Sequence, residues 1–279
     1  MRVMQPYEFE RIRKIFYKLK QYRVRYQQPI DPLFLKQEDW VPYEQGSYFG
    51  EKNTYYQLKG SFQVPADWVG NPCVVLQVYS SLSEWDNTTN PQIKIYLDDT
   101  YVQAIDVNHR EVTLAEGYQQ KAVKLKIDLF SGRSDKPFPL HINLLALDPV
   151  VNELWFDFYT LFDSWRAIRA FGGDEAFYQQ VLGQVANVLD FRTPYSAAFY
   201  ESLAKAKQLL ASCYLPAHTP KQKVTAVGHT HIDLAWLWTA QQAIEKGERS
   251  FQTVLKLMEE FPAYTFFQSQ PLLYLSMKT

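Results

Sequence analysis

The run Val123-Lys124-Leu125-Lys126-Ile127-Asp128-Leu129 alternates apolar and charged residues at every position. Only an extended chain sends successive side chains to opposite sides, so this segment must pair into a sheet with one face buried and the other wet. Its surroundings share that texture. Tyr55 to Phe62 and Val74 to Tyr79 are short apolar runs separated by the turn formers Pro65 and Gly70-Asn71-Pro72. Ile93 to Leu97, then Asp98-Asp99, then Tyr101 to Ile105 predict a hairpin. Leu140 to Leu147 predicts a further strand, closed by Asp148-Pro149. Residues 29–150 are therefore expected to form a β-sandwich-like domain.

Helical patterns flank this region. Between the Arg and Lys residues from Arg2 to Arg25, Phe9, Ile12, Ile15, Phe16, Leu19 and Tyr22 recur at helical spacing. Residues 1–28 thus read as a basic amphipathic helix whose charges form a solvated face. Residues 151–220 predict a helical connector, with apolar positions three and four apart in Phe177 to Leu189 and in Tyr200 to Leu210. Gly172-Gly173-Asp174 and Thr193-Pro194 punctuate it, and Leu215-Pro216 with His218-Thr219-Pro220 lead out of it. A formal net charge of -1 gives no field to hold a polyanion, so no nucleic-acid partner is expected. The N-terminus lacks the apolar stretch of a signal peptide, and no run is long enough to span a bilayer. Cys73 and Cys213 lie far apart and form no Cys-x-x-Cys framework. A cytoplasmic protein without membrane attachment is expected, and Asn87-Thr88-Thr89 is then a polar loop rather than a glycosylation site.

Residues 221–279 read as strand, helix, strand. Val224 to Val227 and Tyr264 to Phe267 are the expected strands. Ile244, Gly247 or Glu248, Phe251, Val254, Leu255, Met258 and Phe261 keep the helical period between them, and Pro262 marks the exit. The result is a right-handed parallel βαβ unit. Glu245, Glu248, Glu259 and Glu260 fall on the helix's polar side and read as solvated. After the first strand comes Gly228-His229-Thr230-His231-Ile232-Asp233-Leu234-Ala235-Trp236-Leu237-Trp238. In an extended segment His229, His231 and Asp233 face one side, just beyond a strand's carboxyl end, where sites of parallel α/β folds lie. Imidazole and carboxylate suit zinc, whose catalytic sites take three protein ligands. The bland alternative is a set of hydrogen-bonded polar residues at a strand end. Trp236 has the chemistry to stack on a sugar, whereas Trp238 reads as core.

The string GHTHIDLAWLW resembles the opening motif of the catalytic domain of glycoside hydrolase family 38 alpha-mannosidases, and GERSFQTVLKLMEEFPAYTFFQSQPLLY is similar to that family's continuation. The resemblance is strongest over Thr225 to Tyr274 and points to the bacterial cytoplasmic type. It implies a multidomain α+β protein: a β-sandwich-like domain, a helical connector, then the first βαβ unit of an α/β, barrel-like catalytic domain. It also implies retaining hydrolysis of terminal alpha-mannosides in mannose-containing oligosaccharides, with one zinc ion per full-length chain. On that resemblance His231 and Asp233 are zinc ligands, Trp236 packs on the mannose ring, and His229 orients a ligand without binding the metal itself. The family's carboxylate nucleophile and its acid, which retaining chemistry requires, match positions beyond Thr279, so the chain as given is expected to be an inactive N-terminal portion.

Two other readings compete. Metal-dependent amidohydrolase-type enzymes also place His-x-His after a first barrel strand, though without a need for the tryptophans. A non-catalytic carbohydrate-binding module would use β-domain aromatics such as Trp40, Trp68 and Trp85. An unfinished sheet edge after Phe267 further predicts either self-association, as in a homo-oligomer, or disorder near the C-terminus.

Overall fold

The computed structural model describes residues 6–31, 33–36, 38–80, 91–106, 108–133, 135–214, 225–234, 236 and 238–278. Helix α1 (Pro6–Tyr22) leads into strands β1 (Val24–Pro29), β2 (Leu33–Lys36), β3 (Trp40–Tyr43), β4 (Tyr48–Phe49) and β5 (Tyr55–Gln63). After a short 3-10 turn at Ala66–Trp68 come β6 (Val74–Tyr79), β7 (Gln92–Leu97), β8 (Thr100–Ile105) and β9 (Glu111–Thr113). A single helical turn, α2 (Glu116–Gln119), precedes β10 (Ala122–Phe130), β11 (Phe138–Pro139) and β12 (His141–Leu147). Helices α3 (Pro149–Ala170), α4 (Ala176–Val188) and α5 (Ala197–Tyr214) follow, and β13 (Gly228–His229), α6 (Ala240–Glu260), β14 (Phe266–Phe267) and α7 (Pro271–Ser276) end the chain. The protein is thus a mixed α and β chain in which the larger sheets are antiparallel.

Two compact units divide it: Met1–Gln27 with Asn71–Cys73 and Leu145–Lys223, and Gln28–Gly70 with Val74–Leu144 and Val224–Thr279. The N-terminal helix therefore shares a unit with the helices after β12, and the last segment shares one with the β region.

In the first unit the apolar stripe of α1 works as its spacing implies. Ile12, Ile15 and Leu19 are buried in one core with Phe158, Trp165, Leu182 and Phe199, and Phe9, Phe16 and Tyr22 pack against it. Phe16 stacks on Phe162 with ring centroids 5.3 Å apart, and Phe9 meets Trp165 at 5.2 Å. The helix is shorter than the expected 1–28. It closes at Tyr22, and Val24, Arg25 and Tyr26, with the β-branched and aromatic character of strands, extend into β1. Asp148-Pro149 closes β12 as expected and also starts α3. The Asp148 carboxylate accepts the Val150 and Val151 N–H groups at 3.1 and 3.0 Å while Pro149 occupies the first turn. The Tyr200 hydroxyl donates to the other Asp148 oxygen at 2.5 Å, fixing α5 to the same cap.

In the second unit β10 lies inside a six-stranded sheet of order β3-β2-β5-β10-β7-β8. It runs antiparallel to β5 from Ala122↔Gln63 to Phe130↔Tyr55, and its Val123, Leu125, Ile127 and Leu129 are buried as the alternation requires. The β7–β8 hairpin turns through Asp98 (φ 47°) and Asp99 (φ 65°), the double left-handed turn that matches strand twist. A four-stranded sheet has the order β1-β12-β6-β9, and β11 pairs with β4. β13 and β14 are parallel, which gives the expected βαβ connection through α6. The first strand is displaced from its expected place. Thr225, Ala226 and Val227 are irregular and exposed, Val224 lies outside the described residues, and pairing begins only at Gly228. The apolar run misled because pairing, not hydropathy, defines the strand, and β14 offers partners only to Gly228 and His229.

Candidate metal and sugar site

The site grows from the end of β13. The Gly228 N–H donates to the Thr265 carbonyl at 2.8 Å. A Cβ on Gly228 would lie 2.2 Å from the Tyr264 hydroxyl oxygen, so only glycine leaves room for that ring. Beyond His229 the chain's alternation shows in its burial. Ile232 is 4% exposed in a small core with Ala243 and Leu273, joined by Leu234, Trp238 and Phe251. His231 and Asp233 face the other way, their side chains 68% and 42% exposed.

These two residues meet. His231 Nε2 lies 3.1 Å from Asp233 Oδ1. That is a hydrogen-bond separation, and it is also within reach of two ligands of one tetrahedral zinc ion, which at bonds of about 2.0–2.2 Å stand about 3.3 Å apart. The donor set therefore fits the expected metal, although no cluster of three or more His, Cys, Asp or Glu occurs among the described residues. His229 stands apart. Its Nε2 is 3.5 Å from Ser269 Oγ and its ring 6.0 Å from that of Phe267, its cross-strand neighbour.

The loop is held from both sides of the pair. Trp238 Nε1 donates to the Asp233 carbonyl at 2.8 Å, and Gln268 Nε2 donates to the Thr230 carbonyl at 2.5 Å. Gln268 is 3% exposed and accepts the Gln270 N–H at 3.1 Å, so its amide cannot turn freely. Sequence reasoning missed Gln268. The available cue was an amide beside the second strand, where an apolar residue would continue the run. Trp236 is 61% exposed and meets Trp238 edge-on at 5.2 Å, whereas Trp238 is half-buried with Lys246 Nζ 4.6 Å from its ring centre. Trp236 is thus the aromatic face presented to solvent. Ala235 and Leu237 lie outside the described residues.

Thr239 starts α6 at once. Its Oγ1 accepts the Gln242 N–H at 3.2 Å while Gln242 Oε1 accepts the Thr239 N–H at 3.0 Å, a reciprocal cap. The polar side of α6 is not left to water. Tyr55 donates to both Glu245 oxygens at 2.9 and 3.1 Å, Lys94 pairs with Glu248, Arg249 donates to Gln92, and Gln252 donates to the Tyr101 carbonyl at 2.9 Å. The expectation that Glu245 and Glu248 are solvated is overturned, because the six-stranded sheet supplies donors where the sequence suggested solvent. Glu259 and Glu260 are exposed as expected. Burial, then the Glu245 bond, pushes the Tyr55 phenol up to about 12, and burial draws the Arg249 guanidinium below its usual value.

A cavity of about 450 Å³ opens beside the loop, lined by His229, His231, Trp238 and Lys246 on one side and by Asp106 and His109 on the other. His109 Nδ1 lies 3.0 Å from Asp106 Oδ1. Burial works to raise the Asp106 carboxyl, but the His109 bond and charge with two backbone N–H donors outweigh it and hold the group low. The same bond raises His109.

Comparison with known proteins agrees with the motif. Residues 221–277 match the glycosyl hydrolases family 38 N-terminal domain. Alpha-mannosidase G of Dictyostelium discoideum is 48% identical over 52 residues, covering 19% of this chain and 5% of that protein. Alpha-mannosidase 2C1 of Homo sapiens is 43% identical over 65 residues, or 23% and 6%. The alpha-mannosidase of Saccharomyces cerevisiae is 29% identical over 129 residues, or 42% and 11%. The matched regions thus span a small fraction of those proteins' lengths. A β-glucuronidase from Ruminococcus gnavus superposes over 45% of this chain and 30% of its own at 9% identity, with a TM-score of 0.32, a value that establishes no common fold. Over residues 221–277, where the His231–Asp233 pair stands, the chain is similar to the N-terminal domain of the glycosyl hydrolases of family 38.

Proposed function

We propose that this chain supplies the first part of the sugar-holding site of a zinc-dependent alpha-mannosidase acting with retention on terminal alpha-mannosides of oligosaccharides. The observation that carries the reading is the His231 Nε2 to Asp233 Oδ1 separation of 3.1 Å, on a loop braced at Thr230 and Asp233 and flanked by exposed Trp236. Zinc held by that nitrogen and oxygen would supply a Lewis-acid centre for sugar hydroxyls. Ile232 anchors the loop beneath the pair, and the Trp238 and Gln268 bonds keep the backbone from turning His231 and Asp233 apart. Trp236 offers a flat apolar face to the pyranose C–H bonds. A catalytic zinc needs three protein ligands, so a further ligand, the nucleophile and the acid come from outside this sequence. His229, tied towards Ser269, has the place of an orienting residue.

The same proposal takes residues 29–150 as a β-sandwich-like domain, 151–220 as a connector, and 221 onward as the start of a barrel-like catalytic domain in a cytoplasmic enzyme of the bacterial type. No helix among the described residues is long and apolar enough to cross a membrane. The family 38 match of residues 221–277 favours this reading over an amidohydrolase. Self-association belongs to it as well, since Leu255, Met258, Leu272 and Leu275 expose apolar surface on α6 and α7. A clean monomer on size exclusion would remove that part.

The test is zinc content and hydrolysis of an aryl alpha-mannoside by a full-length protein carrying this segment, beside its His231→Ala and Asp233→Ala variants. The expected result is about one zinc per chain in the parent and loss of both metal and rate in either variant. Full activity without metal, or variants that keep zinc and rate, would leave the motif structural.

A further inference from the structure

A second cavity, of about 580 Å³, lies where α6 meets the six-stranded sheet, and it shares no residue with the His229–Trp238 loop. Its volume is within the roughly 300–1,000 Å³ of small-ligand sites. Tyr55, Gln57, Lys94, Asp128 and Phe130 line it from the sheet, with Glu245 and Arg249 on the helix side.

Tyr55 is the unusual residue. Its side of the sheet is docked by a helix, yet the residue is 57% exposed. It is nevertheless held in place, because its ring lies 4.8 Å from that of Phe130, its cross-strand partner, and its hydroxyl is tied to both Glu245 oxygens. An aromatic face fixed in contact with water loses little side-chain freedom when something stacks on it. Beside it Gln57 Nε2 donates to Asp128 Oδ1 at 2.7 Å, which locks a planar amide and a carboxylate into one rigid polar edge. A flat apolar face next to fixed planar donors and acceptors is what a pyranose needs, since its ring offers C–H bonds on one side and hydroxyls around the rim. The charges nearly balance. Lys94 is paired with Glu248 and Asp128 with Lys126, and Lys36 and Arg249 line the cleft together with Glu245. That balance favours a neutral sugar over an acidic one.

We propose that this cleft is a carbohydrate-binding site for a neutral pyranosyl unit of an oligosaccharide, with Tyr55 as the stacking platform and Gln57–Asp128 as the hydroxyl-binding edge. It is not the surface that the tryptophans suggested. Trp68 is only 7% exposed, Trp40 is half-buried with Lys59 Nζ 4.0 Å over its ring, and Trp85 lies outside the described residues. The site stands independently of any metal at His231.

The test is calorimetric titration of the protein, in EDTA, with alpha-linked mannobiose, maltose and glucuronic acid, together with NMR shift mapping of the parent. The expected result is weak saturable binding of a neutral disaccharide, at about 1 mM, with shifts at Tyr55, Gln57 and Asp128. Tyr55→Ala and Gln57→Ala should each weaken it at least about tenfold, a loss of about 1.4 kcal/mol. His231→Ala should leave it unchanged, which separates this site from the loop. The proposal is overturned if a folded parent binds no sugar, if Tyr55→Ala and Gln57→Ala bind as the parent does, if His231→Ala abolishes binding, or if glucuronic acid binds in preference. Should Tyr55→Ala fail to fold, shift mapping that leaves Tyr55 and Gln57 unmoved overturns it equally.

Discussion

Helices α1 and α6 are attached to their neighbours by opposite chemistry. In the first unit α1 lays Ile12, Ile15, Phe16 and Leu19 against its neighbours as its main attachment; of its charges Arg13 pairs locally with Glu10, and Arg11 adds one polar contact, donating to Asn187 Oδ1 at 2.5 Å. In the second unit α6 meets the sheet through Glu245, Glu248, Arg249 and Gln252, while its apolar side turns to α7 and the small core at Ile232. Apolar attachment scales with area and tolerates small misplacement. Polar attachment is directional, and it costs free energy wherever one partner is missing.

The largest expected effect lies on the apolar side. Phe158 is fully buried in the α1–α3 core, and Phe158→Ala should cost about 3–5 kcal/mol in urea unfolding, with little dependence on salt. A cost below about 1 kcal/mol would mean that α1 docks loosely and that the contrast is mistaken. Second comes Arg249→Ala, which strips the donor from Gln92 and removes the cation beside Glu245 and Glu248. It should cost about 2 kcal/mol, because a hydrogen bond involving a charged group is lost from a half-buried place. The cost should shrink as salt rises. An effect near zero would make the polar contacts mere complementarity.

That contrast also explains what could be read in advance. The stripe of α1, the alternation of β10, the β7–β8 hairpin and the βαβ connection of the last segment were legible because each is a period in one stretch of chain. His231 and Asp233 were legible for the same reason: two residues apart in an extended segment, they must face one way. Gln268 was not, since its role exists only once β14 lies beside β13 and brings its amide to the Thr230 carbonyl, 38 positions away in sequence. Glu245 and Glu248 misled in the same manner. A carboxylate on a helix's polar face looks identical whether water or Tyr55 and Lys94 lie opposite, and the partners are 190 and 154 residues distant. The placement of β1 was missed because basic residues obscured the change of period after Tyr22.

A smaller effect probes how α6 begins. Thr239→Ala removes the reciprocal cap with Gln242 just after Trp238, and should cost about 1 kcal/mol in thermal or urea unfolding. If the polar docking holds the helix independently of its cap, amide exchange should rise in the first turn alone, leaving protection near Glu248 and Gln252 unchanged. Faster exchange throughout α6 would show instead that the cap and the docking are one cooperative element.

The smallest expected effect is a pH dependence from Asp106 and His109, in the same unit as the polar docking. Asp106 is held low, so its contribution is present above its unfolded value of about 3.9 and fades as pH falls through the folded one. His109 is raised, so its contribution is complete below about 6.5 and is lost as pH rises through the folded value. Both act fully between about pH 4 and pH 6.5. Their side chains are about one-third exposed, which keeps the gain below about 1 kcal/mol. Lys246 and Arg249 line the same cavity, but it is Asp106 that sets the direction of the His109 shift. His109→Gln should therefore flatten the fall in stability above about pH 6.5 while sparing the Phe158→Ala cost, since nothing titratable enters that apolar contact. If the slope survives His109→Gln, another group carries it. If the Phe158→Ala cost itself changes with pH, the apolar attachment is not the charge-independent member of the comparison.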